Sequence, residues 1–595
     1  MARRVIVVGV MASILAAGAW AADTAGGARA LDKKLIEYGW DVPFADYVEA
    51  NIRAMEKRPF DGLIFKLRGG GRALVPWAWK TAKFEKDFEA CKNIQWGRFT
   101  DNFVVLWAAS DQDWFNDEHW KAIEHNVGIV AKAARLARCV GVCWDPEPYG
   151  TNPWSYAKAQ HRDTKSFAEY EAMARRRGAQ FVRSIQGELP KAQILTFFQL
   201  SVMGRLLKPM DPKERAGNLS QAGYALLPAF LNGMLDAAKP DVRIIDGNEP
   251  AYYYTDSRQH LAVAHTIAQR GLLLIDPKLW PAYRQHVRVG QALYIDQYFG
   301  LRARKVLGHH MTAAERRKWF EHNVYWAMYT SDKYVWCYSE KMNWWKNRGV
   351  PPGCEEAIHS AKAKLAAGKP LGFDIKPIVE RVRERQRAEI RSRLKMRTAT
   401  IHRMADNVAK PKIDGDLAEW TPKAKMAPLL PLAAAAQRKP APTQAWVTYD
   451  AQALYVAFRC TEPNPKKMSI RGEKHDQDVW LGDDVEVQVS VPGKTTPFYH
   501  FMVNPRGVTW DAIHGPSSDL TYNPTWQAAT RVGADHWTAE MAIPWAAMKM
   551  TAPKPGTKLR ANLCRQRRQG SELSAWSVMT QGFLEHDLFG TWVFK

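Results

Sequence analysis

The sequence predicts a multidomain chain, a (β/α)₈ barrel followed by an all-β sandwich, and three observations predict it. Apolar strand-like runs alternate with amphipathic helical stretches through residues 30–372, about eight units at the size and rhythm of such a barrel. Short alternating strands separated by Gly, Pro, Asn and Asp turns fill residues 405–595, the texture of a sandwich. Residues 373–404 between them read as a charged helical connector, with glutamates and arginines at helical neighbour spacing.

In chain order, the barrel strands fall at 35–41, 62–67, 103–108, 140–144, 194–200, 242–246, 292–298 and 334–338. Helices over 44–57, 118–138, 166–187, 224–238, 260–270 and 313–330 lie between them. The second unit is irregular: Gly69-Gly-Gly71 and the loop carrying Trp77 and Trp79 stand where a helix should start, and a flexible rim loop is expected there. Sandwich strands are expected at 445–449, 454–460, 485–490, 499–504 and 537–543.

Residues 1–21 have the form of a signal peptide. Arg3 and Arg4 precede the apolar run 5–17, and Ala19-Trp-Ala21 supplies the small residues of a cleavage site. The run is too short to favour a retained membrane helix, and no other segment has the ~20 apolar residues of a span. A soluble protein exported to the periplasm or beyond is expected. Seven cysteines are too few and too odd in number for a disulfide framework, and Cys337 with Cys354 is the one pair worth testing. The 595 residues carry a formal charge of +23. Without any nucleic-acid-binding motif, and on an exported chain, nucleic acid is a poor partner. The basic balance fits an anionic glycan carrying uronate or sulfate, and fits simple solubility or wall association equally. The sequence carries no sign of oligomeric state.

The chemistry centres on Cys139-Val-Gly-Val-Cys-Trp-Asp-Pro-Glu-Pro-Tyr-Gly150, a short apolar run ending in Asp145 and Glu147. Side chains two apart share a strand face, and paired carboxylates raise at least one pKa. That supplies the proton donor a hydrolase needs near neutral pH. A barrel gathers its working groups where strands end. The strand ends here offer Trp40 and Asp41, Arg68, Gln199, Asp246 and Glu249, Asp296 and Tyr298, and Glu340, interleaved with Trp77 and Trp336. Some are ordinary caps and loop solvation. Aromatic platforms with paired carboxylates are what glycosidic cleavage requires: stacking for the ring, an acid for the leaving oxygen, a base or nucleophile opposite. The lone histidines and the adjacent pair His309-His310 lack metal-ligand spacing, so no metal and no cofactor is expected in the barrel.

On these residues the region resembles a (β/α)₈ glycoside hydrolase of no identified family. The Asp145-x-Glu147 ending is similar to the end of the chitinase-type signature, whose upstream acidic positions are here Gly141, Val142 and Cys143. Resemblance to retaining barrel hydrolases implies Glu147 as acid/base and Asp296 as nucleophile, with Glu249 and Glu340 as rivals for the second role.

The last region carries Lys412-Ile-Asp-Gly-Asp-Leu-Ala-Glu-Trp420, Trp480-Leu-Gly-Asp-Asp-Val-Glu486, Phe501-Met-Val-Asn-Pro-Arg-Gly507, Trp537-Thr-Ala-Glu-Met-Ala-Ile-Pro-Trp545 and Phe589-Gly-Thr-Trp592. In that order they resemble family 9 carbohydrate-binding modules and their DOMON-like relatives. The resemblance implies a sugar held between two Trp rings, with Trp480 and Glu486 supplying one ring and one carboxylate. Asn504 or Arg506 would supply a donor, and Trp576 the second ring. Some members hold Ca²⁺, but no loop here is dense enough in carboxylates to assign ligands. The expectation is an exported enzyme that hydrolyses glycosidic bonds in a poly- or oligosaccharide. A non-catalytic glycan-binding envelope protein and a polysaccharide lyase are the alternatives.

Overall fold

The computed structural model describes residues 32–107, 112–209, 211–302, 306–433, 439–515, 518–580 and 582–595. The signal-peptide expectation for residues 1–21 falls outside them. Two compact units divide the chain, the first ending at Arg383 and the second running from Glu384 to Lys595. No helix among the described residues is long and apolar enough to cross a membrane.

The first unit is a parallel barrel. Its strands are β1 (Lys34–Gly39), β2 (Gly62–Phe65), β3 (Phe103–Leu106), β4 (Gly141–Trp144), β5 (Gln193–Thr196), β6 (Arg243–Asp246), β7 (Val287–Val289), β8 (Gln291–Tyr294) and β9 (Tyr334–Ser339). They pair in the order β7-β6-β5-β4-β3-β2-β1-β9-β8. Only Gly290 separates β7 from β8, so these two act as one interrupted strand that pairs with β6 on one side and β9 on the other. That closes the sheet into an eight-stranded barrel. The interruption lies where Gly290 crosses β6. A Cβ there would meet Ile245 Cγ2 at 2.7 Å and the Asp246 carbonyl at 3.0 Å, so only glycine passes.

The inner strands are buried on both faces, as β4 shows along its whole length, and so they read as unbroken apolar runs. The helices start where the sequence offers caps. Ser166 with Glu169, and Thr312 with Glu315, form capping boxes that satisfy orphan amides of the helices Phe167–Glu188 and Ala313–Thr330.

Three expectations for this unit need correction. The seventh strand begins at Val287 and ends at Tyr294; Ile295–Phe299 is a helical turn closed by Gly300 at φ 67°. The glycine-rich loop after β2 is pinned rather than flexible. Asp87 accepts the amides of Arg68 and Gly69, and Asn126 binds the Ala73 and Trp77 carbonyls and the Trp79 amide. The connector is no separate segment: Ile378, Val379 and Val382 of the helix Lys376–Arg393 are buried in the barrel unit's core, and Thr398–Arg403 is a strand of the second unit.

The second unit holds β10 (Thr398–Arg403), β11 (Leu430–Pro431), β12 (Thr443–Tyr449), β13 (Ala453–Thr461), β14 (Asp484–Ser490), β15 (Phe498–Val503) and β16 (Thr509–His514). It continues with β17 (Ser518–Asp519), β18 (Gln527–Val532), β19 (His536–Pro544), β20 (Lys558–Arg567), β21 (Glu572–Ala575) and β22 (Gly590–Phe594). One sheet runs β17-β16-β15-β14-β20-β22 and the other β12-β13-β19-β18. β10 joins them: Thr398 to Ile401 pair with β22, and His402 and Arg403 pair with β12. Val447, Val456, Phe458, Met541 and Ile543 from one sheet pack on Val485, Val487, Phe501 and Leu563 from the other. This is a β-sandwich with the alternating inward pattern its strands require. All seven cysteines are buried free thiols, Cys337 and Cys354 included.

Candidate functional site

A cleft of about 1170 Å³ opens at the C-terminal ends of the barrel strands. Asp145, Glu147, Glu249 and Glu340 line it with Tyr38, Trp40, Trp79, Trp107, Tyr252, Trp336 and Tyr338. Three strand ends thus deliver four carboxylates into one aromatic-walled space.

The fourth strand ends in a rigid turn. The Asp145 amide donates to the Leu106 carbonyl at 3.0 Å, continuing the sheet one residue past Trp144. The Trp154 indole donates to the Pro146 carbonyl at 2.8 Å. Asp145 Oδ1 accepts the Glu147 amide at 2.8 Å, and Glu147 Oε2 accepts the Tyr149 hydroxyl at 2.7 Å. Asp145 is only 2% exposed. Burial holds its carboxyl well above the usual range; the Glu147 amide opposes this, and the charges of Glu147 and Glu249 add to it.

The sixth strand ends in a second turn. Buried Asp246 accepts the amides of Gln199 and Ser201 at 3.0 and 2.8 Å and the Ser201 hydroxyl at 2.6 Å. Asn248 adopts the left-handed conformation at φ 46° and donates to Gln291 Oε1 at 2.7 Å. The Glu249 amide then binds the Phe197 carbonyl at 3.0 Å, and its side chain lines the cleft. Burial, and after it the charge of Glu147, raise the Glu249 carboxyl to about 7.

The floor is aromatic. Trp336 stacks on Phe197 at 4.1 Å and 15°, and Tyr252 stacks on Tyr338 at 5.7 Å and 10°. Trp40 is 65% exposed at the rim, with the Lys341 ammonium 4.5 Å from its ring. Arg68 lines the cleft while ion-paired to Asp46 at 2.7 Å and lying 4.1 Å over Phe44. Trp77, also exposed, lines a neighbouring hollow that shares Gly71 and Trp79 with the main cleft. Glu340 Oε1 lies 3.5 Å from the Tyr338 hydroxyl.

Five residues expected at the site are placed elsewhere. Asp296 is fully buried, and its two oxygens accept the Glu340 and Lys341 amides at 2.9 Å each. The position at this strand end that faces the cleft is Tyr294. Asp246 is spent on the Gln199–Ser201 turn, as above. Gln199 is buried beneath that turn, and Tyr298 packs against Trp319 and Phe320. Asp41 lines a shallow side hollow with Trp40 and Arg68, and its Oδ2 accepts the Trp344 amide at 2.7 Å.

In the sandwich, Trp480 is 40% exposed and meets Trp510 edge-on at 5.6 Å. Trp510 meets His500 at 5.4 Å, and His500 Nε2 lies 2.7 Å from Glu486 Oε2. Trp510 is not among the residues the sequence singles out; it stands on β16, a strand the sequence reading does not include. Trp576 is 1% exposed and packs with Trp592 in the sandwich core, so it has no face to offer a sugar. Asn504 is buried and fully used: its side chain binds the Arg471 carbonyl and the amides of Arg506 and Val508. Arg506 is exposed on that turn.

No family model matches this sequence, and no curated protein matches it. Among solved structures, the chain is similar to a family GH18 chitinase from Chromobacterium violaceum, at 10% identity over 56% of this chain and 84% of that one, with a TM-score of 0.31. It is also similar to a GH30 endoxylanase from Clostridium papyrosolvens, at 9% identity over 87% and 97%, with a TM-score of 0.30. A family 9 carbohydrate-binding module from Caldicellulosiruptor kristjanssonii, in complex with cellotriose, matches at 16% identity over 33% and 94%, with a TM-score of 0.25. Likenesses this weak assign neither family nor activity.

Proposed function

We propose that the barrel cleaves glycosidic bonds with Glu249 and Glu147, and that the sandwich holds the glycan. One observation carries this reading. Two glutamates from different strand ends line one aromatic-walled cleft, and the charge of Glu147 helps keep Glu249 protonated to about pH 7. A carboxyl held protonated beside a second carboxyl group is what acid-assisted glycosidic cleavage needs.

In this mechanism Glu249 gives its proton to the leaving glycosidic oxygen as the bond from that oxygen to the anomeric carbon breaks. The Glu147 carboxylate supplies the second function, as nucleophile at that carbon or as base for the attacking water. Asp145, whose carboxyl burial holds well above the usual range, sets the Glu147 backbone through its 2.8 Å hydrogen bond. The stacked floor of Trp336 and Phe197 favours apolar sugar faces. In the sandwich, Trp480 and Trp510, backed by the Glu486–His500 pair, form the proposed glycan platform. Export by residues 1–21 belongs to the same proposal.

The test is reducing-end release from a panel of neutral and anionic polysaccharides, with ultraviolet absorbance monitored for unsaturated products. Release without that absorbance supports hydrolysis. Binding without release would make the protein a glycan-binding one, and absorbing products would make it a lyase.

A further inference from the structure

Three stretches far apart in sequence bring lone-pair-bearing atoms together on the sandwich. His475 Nε2 lies 3.4 Å from Asp476 Oδ2, 3.7 Å from Asp511 Oδ2 and 3.1 Å from Asn523 Oδ1. His475, Asp476 and Asp511 each offer a ligand atom within 4.8 Å of the others. Four such atoms converging this closely repel one another unless a cation, or a proton on His475 Nε2, lies among them. A second observation points the same way. Asp511 is 0% exposed; its Oδ2 accepts the Trp526 indole at 2.8 Å, yet its Oδ1 has no partner among the described residues. A buried, half-satisfied carboxylate is costly, and a cation offsets that cost.

We propose that His475, Asp476, Asp511 and the Asn523 amide oxygen bind one divalent cation of borderline hardness, of the Zn²⁺ or Mn²⁺ class. The donor set selects the class: an imidazole nitrogen among oxygens suits such ions, whereas Ca²⁺ and Mg²⁺ prefer oxygen alone. The spacing agrees. Ligands about 2.0–2.2 Å from a shared ion stand roughly 3–3.6 Å from each other. His475 Nδ1 lies 2.8 Å from Thr509 Oγ1, and donation to that hydroxyl leaves the Nε2 lone pair facing the cation. The ion ties the loop before Trp480 to β16, the strand that carries Trp510. The sequence could not show this, since residues 475–476, 511 and 523 have no recognisable ligand spacing.

The rival is a protonated His475 acting as the positive centre by itself. Full-length protein stripped with a chelator is titrated calorimetrically with ZnCl₂, MnCl₂ and CaCl₂ in separate runs at pH 7.5. One equivalent of Zn²⁺ or Mn²⁺ is expected to bind and to raise the melting temperature. Co²⁺ should give visible absorption bands that His475→Gln abolishes. Thr509→Val should weaken Zn²⁺ or Mn²⁺ binding about 10–100-fold, the usual effect of losing an outer-shell partner. Because Asp511→Asn could disturb folding, His475→Gln and Asp476→Asn, both nearer the surface, decide the outcome. The proposal is overturned if the stripped protein binds neither Zn²⁺ nor Mn²⁺ stoichiometrically. Unchanged binding in both surface variants, or preferential binding of Ca²⁺, overturns it equally.

Discussion

The indole of Trp336 donates to the Gly247 carbonyl at 2.8 Å, tying the last barrel strand to the turn that presents Glu249. The closeness of this contact requires glycine at 247. A Cβ there would meet the Thr196 carbonyl at 2.3 Å and Trp336 Nε1 at 2.7 Å, and neither can move freely. Gly247→Ala should therefore cost about 1–3 kcal/mol in denaturant unfolding, the usual penalty of overpacking. It should also lower turnover, because the shift falls on the Glu249 turn.

Asp246 and Asp296 should separate structure from chemistry. Asp246→Ala leaves the Gln199 and Ser201 amides buried without their acceptor, at about 1–3 kcal/mol for each unpaired group. Its main effect should appear in the melting temperature. Asp296→Asn keeps one acceptor oxygen and stays outside the cleft, so turnover should fall by less than the ~10²-fold typical of losing an acid catalyst. Parallel rates and melting curves for the two variants check both statements.

The Glu249 carboxyl makes stability depend on pH. Its folded value of about 7 lies above the ordinary 4.5, so between those values the folded protein holds a proton that the unfolded chain has released. The contribution of this group therefore falls as pH rises through that window. Glu249→Gln should flatten this part of the profile and gain relative stability above pH 7. Urea unfolding at pH 5 and 8 for both proteins reads the difference.

Much of the barrel is legible in the sequence because its strands are buried on both faces and so stand out as unbroken apolar runs. The seventh strand is harder to bound: Ile295, Tyr298 and Phe299 are strand-compatible residues around Asp296 and Gln297, yet Ile295–Phe299 turns helical. Site residues are harder to separate. Glu249 and Asp246 lie three positions apart at one strand end, yet one lines the cleft and the other ties down backbone amides. Only the fold distinguishes a carboxylate facing a cavity from one facing a turn. Likewise Trp510 stands on β16 and Trp576 just past β21, and only the fold decides which lies near the exposed Trp480 ring.

Those two rings support a direct comparison. Trp576→Ala should destabilise the protein by about 3–5 kcal/mol, the scale of emptying a large buried aromatic site. Trp480→Ala, at a half-exposed ring, should leave the melting temperature nearly unchanged and weaken glycan retention in affinity electrophoresis. Equal retention by Trp480→Ala and wild type would remove this ring from the platform.

The central claim rests on Glu147 and Glu249 acting as a pair, and the pH–rate profile on a cleaved glycan tests it most directly. Wild-type kcat/KM should fall as pH rises through about 7, where Glu249 gives up its proton. Glu249→Gln should lose at least ~10²-fold and that alkaline limb together, while Glu147→Gln loses comparable rate with the fold intact by circular dichroism. A folded Glu249→Gln protein that keeps both its rate and the alkaline limb would contradict the account.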